Sequence, residues 1–252
     1  MTQYSVKIPI ERQRFVEGRL DIPDQYAGPQ RTGVMMAHGA ANDMHEPLLL
    51  HLAEGLSQAG CLALRFNFPY RTEGRQRPDS QRVLESAWLE TVKWLRNQTE
   101  FPLDRLVAGG KSMGARVVSQ LAGAGRLEAE GFAFWGYPLH PPGRKNQLRD
   151  AHLDLIQKPL LFVTGTRDTF CDMALLKGVV SRLGRQATLE IVEGGDHSFR
   201  LPKSAASSQQ DVYAHILTRT LRWLGLEPVR AVPRPGVPLK KAEMIISAFA
   251  IA

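Results

Sequence analysis

The chain has 252 residues, 43% hydrophobic and 23% charged, a balance typical of a globular protein with room for one large α/β domain. Of its net charge of +7, +3 lies in residues 230–252, and the arginines of the remaining chain are scattered without interleaved aromatic residues, which argues against a nucleic-acid partner. No apolar run approaches the ~18–20 residues that span a bilayer, and the N-terminus has no apolar core of signal-peptide length. The two cysteines, Cys61 and Cys171, make no disulfide framework, so we predict a soluble, cytoplasmic protein.

Apolar runs that predict strands alternate along the chain with amphipathic stretches that predict helices. Residues 5–23 alternate in polarity and suit an antiparallel hairpin at the edge of a sheet. Beyond them the sequence predicts six buried strands, at residues 32–41, 61–68, 104–110, 131–139, 158–168 and 187–195. It predicts five helices, at residues 46–60, 80–98, 113–123, 172–184 and 207–226. The helix over residues 80–98 has an apolar face made by Leu84, Trp88, Thr91, Val92 and Leu95.

Strands that are almost wholly apolar and alternate with helices indicate a mostly parallel central sheet with helices on both faces. Ligands of such α/β sheets bind at the carboxyl ends of the strands. Reactive side chains are therefore expected in the loops that directly follow each predicted strand.

Residues 107–116, "VAGGKSMGAR", contain two competing motifs. Gly110-Lys111-Ser112 matches the end of a phosphate-binding loop, but that loop needs a glycine five residues before Gly110, where Arg105 stands. A dinucleotide-binding motif also fails, because Lys111 stands where its second glycine should be. Gly110-x-Ser112-x-Gly114 matches a nucleophile elbow, and it has the required context of a strand before it and a helix after it. This context favours Ser112 as a nucleophile.

A nucleophilic serine needs a base and a carboxylate that orients the base, in the chain order serine, acid, histidine. Asp168 follows the fifth predicted strand and His197 follows the sixth, behind two glycines. We therefore predict a catalytic triad of Ser112, Asp168 and His197. Two other acids fit less well, because Asp196 directly adjoins His197 and Asp172 stands at a predicted helix start, where it would act as an N-cap.

An oxyanion hole requires two backbone N–H donors. The first is expected from Met113, the residue after the nucleophile. The second is expected from Ala40, in the loop after the first parallel strand, where His38-Gly39 resembles the motif that leads into such holes. His38 itself is expected to brace that loop by hydrogen bonds.

His45, His51 and His215 fall within or beside predicted helices and are interpreted as surface or packing residues. His140 and His152 lie in the irregular segment after the fourth predicted strand, and no direct role is predicted for either. No group of His, Cys and Asp residues has metal-ligand spacing, so we predict no metal site. No cofactor is expected.

Four segments, "HGAAND", "GGKSMGAR", "TGTRD" and "GGDHSF", stand in the order found in α/β-hydrolases, which the chain resembles over about residues 5–226. The segment "LRFNFPYRTEGRQRP" is similar to a dienelactone-hydrolase-like branch of predicted hydrolases. That branch includes a testis-expressed protein and a subunit of the non-specific-lethal complex. Dienelactone hydrolases use a cysteine nucleophile where this chain has Ser112. The resemblance implies an α/β-hydrolase fold and hydrolysis of acyl substrates.

In this branch Tyr70 and Arg71 belong to the pattern at the active-site edge. The resemblance leaves two interpretations open, a lining of the acyl or carboxylate pocket or a structural loop. Caps of this fold are inserted after the fourth parallel strand, where residues 136–158 are too few for a bulky cap. An open site that accepts a small or exposed ester is therefore expected.

Residues 227–252 form a proline-rich linker and a short apolar tail, distinct from a hydrolase domain over residues 1–226. The first hypothesis is a serine hydrolase that cleaves a small-molecule ester or related acyl substrate through an acyl-enzyme. The second hypothesis is a hydrolase fold retained as a binding or scaffold module.

Overall fold

The structure, a computed structural model, describes residues 1–11, 14–24, 26 and 31–227. Within this part of the chain, one sheet contains eight strands. They are β1 (Thr2–Ile10), β2 (Arg14–Ile22), β3 (Thr32–Ala37), β4 (Leu62–Phe66), β5 (Arg105–Lys111), β6 (Gly131–Trp135), β7 (Leu160–Gly165) and β8 (Ala187–Val192). Their order across the sheet is β1-β2-β4-β3-β5-β6-β7-β8.

The six strands from β3 to β8 run parallel to one another, as the apolar runs predicted. The alternating opening segment forms the antiparallel pair β1 and β2 at one edge, and β2 joins the rest of the sheet antiparallel to β4. The α/β architecture predicted from the sequence is confirmed.

Helices cover both faces of this sheet. They are α1 (Pro47–Gln58), α2 (Pro69–Thr72), α3 (Gln81–Arg96), α4 (Met113–Gly123), α5 (Met173–Leu183) and α6 (Gln209–Leu224). One core cluster joins α1 and α6 to the sheet through Leu52 and Ile216, and the other joins α3 and α4 through Trp88 and Leu121. The predicted apolar face of α3 is buried, at Leu84, Trp88, Thr91, Val92 and Leu95.

Neighbouring residues of β5 show how the two cores are separated. Val107 belongs to the cluster of α1 and α6, whereas Ala108 belongs to the cluster of α3 and α4. This follows from the pleat of a strand, in which successive side chains point to opposite faces. Both sides of a central strand must then be apolar.

Several strands end earlier than the sequence predicts. β6 stops at Trp135 because Gly136 has φ of +67° and turns the chain out of the sheet. The sequence analysis also missed α2, which lies between the predicted strand over residues 61–68 and the predicted helix over residues 80–98. Pro69 begins this short helix, where its fixed φ suits the first helical turn.

No large cap covers the sheet in the described chain. Residues 136–158 contain one short 3-10 helix, Leu153–Leu155. This agrees with the prediction that the segment is too short for a bulky cap. The predicted tail, residues 227–252, lies outside the described residues apart from Glu227. None of the described helices has both the length and the apolar character that crossing a bilayer requires.

Both cysteines are free and buried. Cys61 is 1% exposed and Cys171 is 2% exposed. Burial raises the pKa of each thiol to about 12.

Candidate active site

Ser112 lies at a sharp turn between β5 and α4, with φ of 51° and ψ of −111°. This backbone conformation is strained for a residue with a side chain. The turn is tight enough that a Cβ added to Gly110 would lie 2.6 Å from the Gly114 carbonyl carbon. A Cβ on Gly114 would lie 2.8 Å from the Ala37 carbonyl carbon. The glycines on either side of Ser112 therefore let the elbow form.

A hydrogen-bonded chain joins Ser112, His197 and Asp168. The Oγ of Ser112 lies 2.8 Å from His197 Nε2. On the other side of the ring, His197 Nδ1 lies 2.8 Å from Asp168 Oδ2 and 2.9 Å from Oδ1. A carboxylate accepts at Nδ1, so the Nδ1–H tautomer is favoured and Nε2 is free to accept the serine proton. The three predicted residues, each following a different parallel strand, meet at the carboxyl edge of the sheet.

The surroundings of Asp168 hold both the carboxylate and the imidazole in place. The Asp168 side chain is fully buried, and its Oδ1 also accepts a hydrogen bond from the Phe170 N–H at 2.8 Å. The Phe170 ring lies against the His197 ring with centroids 4.3 Å apart. Phe170 thus covers one side of the imidazole, a contact that the sequence analysis missed.

Lys111, the residue directly before Ser112, reaches the loop that carries His197. Its buried Nζ donates to the backbone oxygen of His197 at 2.9 Å and lies 5.7 Å from the Phe199 ring centroid. Burial lowers the pKa of the Lys111 ammonium, and the negative charge of Glu46 opposes that shift. Burial in turn raises the pKa of Glu46, which caps α1.

The two residues predicted for an oxyanion hole lie on the same cleft as Ser112. Met113 begins α4, so its N–H belongs to the first helical turn, where no intrahelical acceptor is available. Ala40 lies in the loop after β3, and the Tyr70 hydroxyl donates to its carbonyl oxygen at 2.8 Å. In the same loop a Cβ on Gly39 would lie 3.4 Å from Ser112 Cβ. The loop thus approaches Ser112 closely.

His38 braces this loop as expected. Its Nε2 accepts from the Phe68 N–H at 3.0 Å, and its Nδ1 donates to the Gly39 oxygen at 2.7 Å. Burial lowers the pKa of His38 to about 4. The neutral ring therefore fixes the Ala40 loop against α2.

The cleft in front of Ser112 has a volume of about 580 Å³. Of the residues predicted to bind substrate, Tyr70 is fully buried and Arg71 donates to Gln76 Oε1 at 2.6 Å. Neither belongs to the lining of this cleft, and the Tyr70 hydroxyl instead donates to the Ala40 loop beside it. The sequence analysis missed much of the lining, which includes Asp79, Gln81, Arg116, Pro138, Arg149 and Phe170.

A second serine–histidine pair lies behind the cleft. Ser119 Oγ is 2.8 Å from His152 Nε2, but Ser119 is fully buried and its hydroxyl donates to the Arg116 carbonyl at 2.9 Å. The same nitrogen of His152 is 3.3 Å from the Tyr137 hydroxyl. These hydrogen bonds form a buried structural network between α4 and the segment that follows β6.

The rival acids have structural partners. Asp196 accepts from the N–H groups of Ser198 and Arg200, and Asp172 caps α5 as the sequence predicted. Among the described residues there is no group of three or more His, Cys, Asp or Glu side chains arranged to hold a metal ion.

Comparison with known proteins identifies similar domains. A family model for the alpha/beta hydrolase domain matches residues 30–225. Dienelactone hydrolase from Anabaena variabilis is 18% identical, with a TM-score of 0.69 over 89% of this chain and 97% of that chain. An α/β serine hydrolase without a lid from Xanthomonas campestris is 20% identical, with a TM-score of 0.67 over 92% of this chain and 98% of that chain.

Est1E from Butyrivibrio proteoclasticus, solved with ferulic acid bound, is 14% identical, with a TM-score of 0.70. The match covers 87% of this chain and 99% of that chain. At these identities the three solved structures share the fold with this chain.

Proposed function

This chain belongs to the alpha/beta hydrolase family, and from that premise we propose that it is a serine hydrolase that cleaves a small ester or related acyl substrate. The observation that carries the proposal is the hydrogen-bonded chain from Ser112 through His197 to Asp168. Its nucleophile, base and orienting carboxylate have the geometry that acyl transfer needs.

In the first half of the reaction, Ser112 Oγ forms a bond to the substrate carbonyl carbon while His197 Nε2 takes the hydroxyl proton. The carbonyl electron pair moves to oxygen, where the N–H groups of Met113 and Ala40 stabilise the negative charge. The tetrahedral intermediate collapses, the bond to the leaving group breaks, and His197 returns the proton to the departing oxygen. An acyl-enzyme on Ser112 and a free alcohol result.

Water completes the cycle. His197 removes a proton from the water molecule as it attacks the acyl carbon, and the same two N–H groups hold the second oxyanion. The acid leaves when the bond to Ser112 Oγ breaks and the proton returns to Ser112. Asp168 keeps its hydrogen bond to His197 Nδ1 and stabilises the transient imidazolium of His197.

Because no cap covers the cleft among the described residues, we expect the ester to be small or exposed. Residues 136–158 provide no cap domain, and the cleft of about 580 Å³ falls within the usual range for small-molecule sites. A long lipid chain bound there would stay largely exposed to water, because no cap in the described chain encloses the cleft.

Short p-nitrophenyl esters test the proposal with three proteins: wild type, Ser112→Ala and the matched control Ser119→Ala. Ser112→Ala is expected to lower turnover by a factor on the order of 10⁴–10⁶, since triad residues act as a unit. Ser119→Ala removes the hydroxyl of the other serine–histidine pair and is expected to retain wild-type turnover. Equal rates for wild type and Ser112→Ala would contradict the mechanism.

Labelling by a fluorophosphonate gives a second readout, which needs no knowledge of the natural ester. The probe is expected to label wild type and Ser119→Ala and to leave Ser112→Ala unlabelled. Folded wild-type protein without label would instead favour the binding or scaffold hypothesis.

A further inference from the structure

Two arginines line the same cleft as Ser112. Arg116 lies on α4, four residues after Ser112, and Arg149 lies in the segment between β6 and β7. The backbone of Arg149 is anchored twice, because its N–H donates to the Leu139 oxygen and its carbonyl accepts from the Tyr137 hydroxyl. Both cations are therefore carried by ordered backbone next to the nucleophile.

Neither guanidinium has strong hydrogen bonds within the described chain. Arg116 Nη2 donates to Gln81 Oε1 at 3.4 Å, and Arg149 Nη1 donates to the Pro138 oxygen at 3.4 Å. These distances lie beyond the usual range for N–H donors, and each guanidinium carries five N–H groups. Most of the donor capacity of the two arginines is left for another partner.

The two arginines also make no ion pair with any carboxylate that the structure describes. Seven other arginines do make such pairs: Arg14, Arg31, Arg65, Arg75, Arg126, Arg182 and Arg219. Asp79 is the acid in the cleft lining, but its carboxylate accepts from Arg75 at 2.7 Å and from the Tyr70 N–H at 2.8 Å.

The electrostatics of Arg116 agree with this geometry. Burial lowers the pKa of its guanidinium, and the like charge of Arg149 lowers it further. A half-buried cation beside a second cation is stabilised when an anion binds between them, because arginine and carboxylate pair through parallel hydrogen bonds.

We propose that the substrate cleaved at Ser112 carries a carboxylate, which binds to Arg116 and Arg149 within the cleft. This inference rests on the proposed function and adds its substrate class. Arg116 lies one helical turn after Ser112, since its N–H donates to the Ser112 backbone oxygen at 3.0 Å, and both residues line one cleft. A substrate that reaches both therefore has its carboxylate only a few bonds from the scissile carbonyl. A short ester with one free carboxylate meets this requirement.

Monomethyl glutarate and methyl pentanoate form a matched pair of substrates, equal in chain length and different in one carboxylate. The kcat/KM of each is measured by titration of the acid released, for wild type, Arg116→Met and Arg149→Met. Arg144→Met is the control, because Arg144 is an exposed residue of the same segment as Arg149 and does not line the cleft. The ratio of the two values corrects for any general loss of activity in a variant.

Wild type is expected to favour the glutarate ester, and each cleft substitution is expected to lower that preference about 10-fold or more. Arg144→Met is expected to retain the wild-type ratio, and added salt to reduce the preference. A ratio that is the same in all three variants, or a wild type that favours methyl pentanoate, would overturn the proposal.

Titration calorimetry tests carboxylate binding independently of ester hydrolysis, so this proposal and the proposed function can fail separately. Monomethyl glutarate is titrated into Ser112→Ala, which cannot form the acyl-enzyme, and into Ser112→Ala/Arg116→Met. Binding that weakens about 10-fold in the double variant supports the carboxylate site even if no ester is hydrolysed. Equal binding in both proteins counts against the site, even if neutral esters are hydrolysed.

Discussion

Lys111 Nζ and the backbone oxygen of His197 form a hydrogen bond of 2.9 Å, between residues 86 positions apart in the chain. The last residue of β5 therefore ties the turn at Ser112 to the loop that carries His197. Because Lys111 is 2% exposed, no water competes freely for this bond.

Lys111→Met is expected to lower kcat about 10-fold or more with little change in KM, because the loop that places His197 loses its tie while the cleft keeps its lining. Ester kinetics of Lys111→Met and of the exposed control Lys177→Met measure this split. A change in KM alone, or equal losses in both variants, would show that Lys111 does not position the base.

Asp168→Asn is expected to lower kcat by a factor on the order of 10⁴, by analogy with other triad enzymes. An amide that donates to His197 Nδ1 moves the ring proton to Nε2, so the ring can no longer accept from Ser112. Asp172→Asn is the matched control, because asparagine caps a helix as well as aspartate does. Stopped-flow or steady-state kinetics of ester hydrolysis measure kcat for both variants. Comparable values in the two would refute the role of Asp168.

Local patterns predicted where Ser112, Asp168 and His197 lie, because each follows an apolar strand and has a glycine within three residues, as a sharp turn requires. The contacts of Lys111 and Phe170 with His197 were missed, since they depend on side-chain directions between distant loops. Arg116 and Arg149 were missed for the same reason, although the position of Arg116 one helical turn after Ser112 was a usable signal. Tyr70 shows the remaining ambiguity, because an aromatic ring with a hydroxyl suits both a pocket and a buried loop.

Gly114→Ala is expected to destabilise the fold by about 1–3 kcal/mol, since its new methyl group meets the backbone carbonyl of Ala37. Gly178 is a matched control on an exposed part of α5, where an added Cβ meets no atom within 4 Å. Gly178→Ala is expected to stabilise by roughly 0.5–1 kcal/mol, the ordinary gain of alanine in a helix. Urea unfolding of both variants measures the difference, and a neutral Gly114→Ala would mean that the elbow relaxes at no cost.

His38 is expected to make the free energy of unfolding depend on pH. Its pKa is about 4 in the folded protein and about 6.5 in the unfolded chain, so the unfolded state binds the proton more tightly. The stability that the neutral ring allows is complete above pH 6.5 and falls by roughly 3 kcal/mol as the pH drops towards 4.

Unfolding of wild type and His38→Gln at a series of pH values tests this expectation. Glutamine does not titrate and can still accept from the Phe68 N–H, so the difference between the two proteins isolates the His38 contribution. The two curves are expected to converge as the pH falls below 6.5. Parallel curves from pH 7 to pH 4 would show that protonation of His38 does not affect folding.

The rates at which the two buried thiols are alkylated measure how often the chain opens in these variants. Cys61 directly precedes β4, against the α1 and α6 core, whereas Cys171 lies in the loop of Asp168 on the opposite core. Since both have a pKa of about 12 and almost no exposed surface, an alkylating reagent can reach them only when the chain opens. Mass spectrometry of each thiol then separates opening of the Asp168 loop from opening of the whole domain, even in variants without ester hydrolysis.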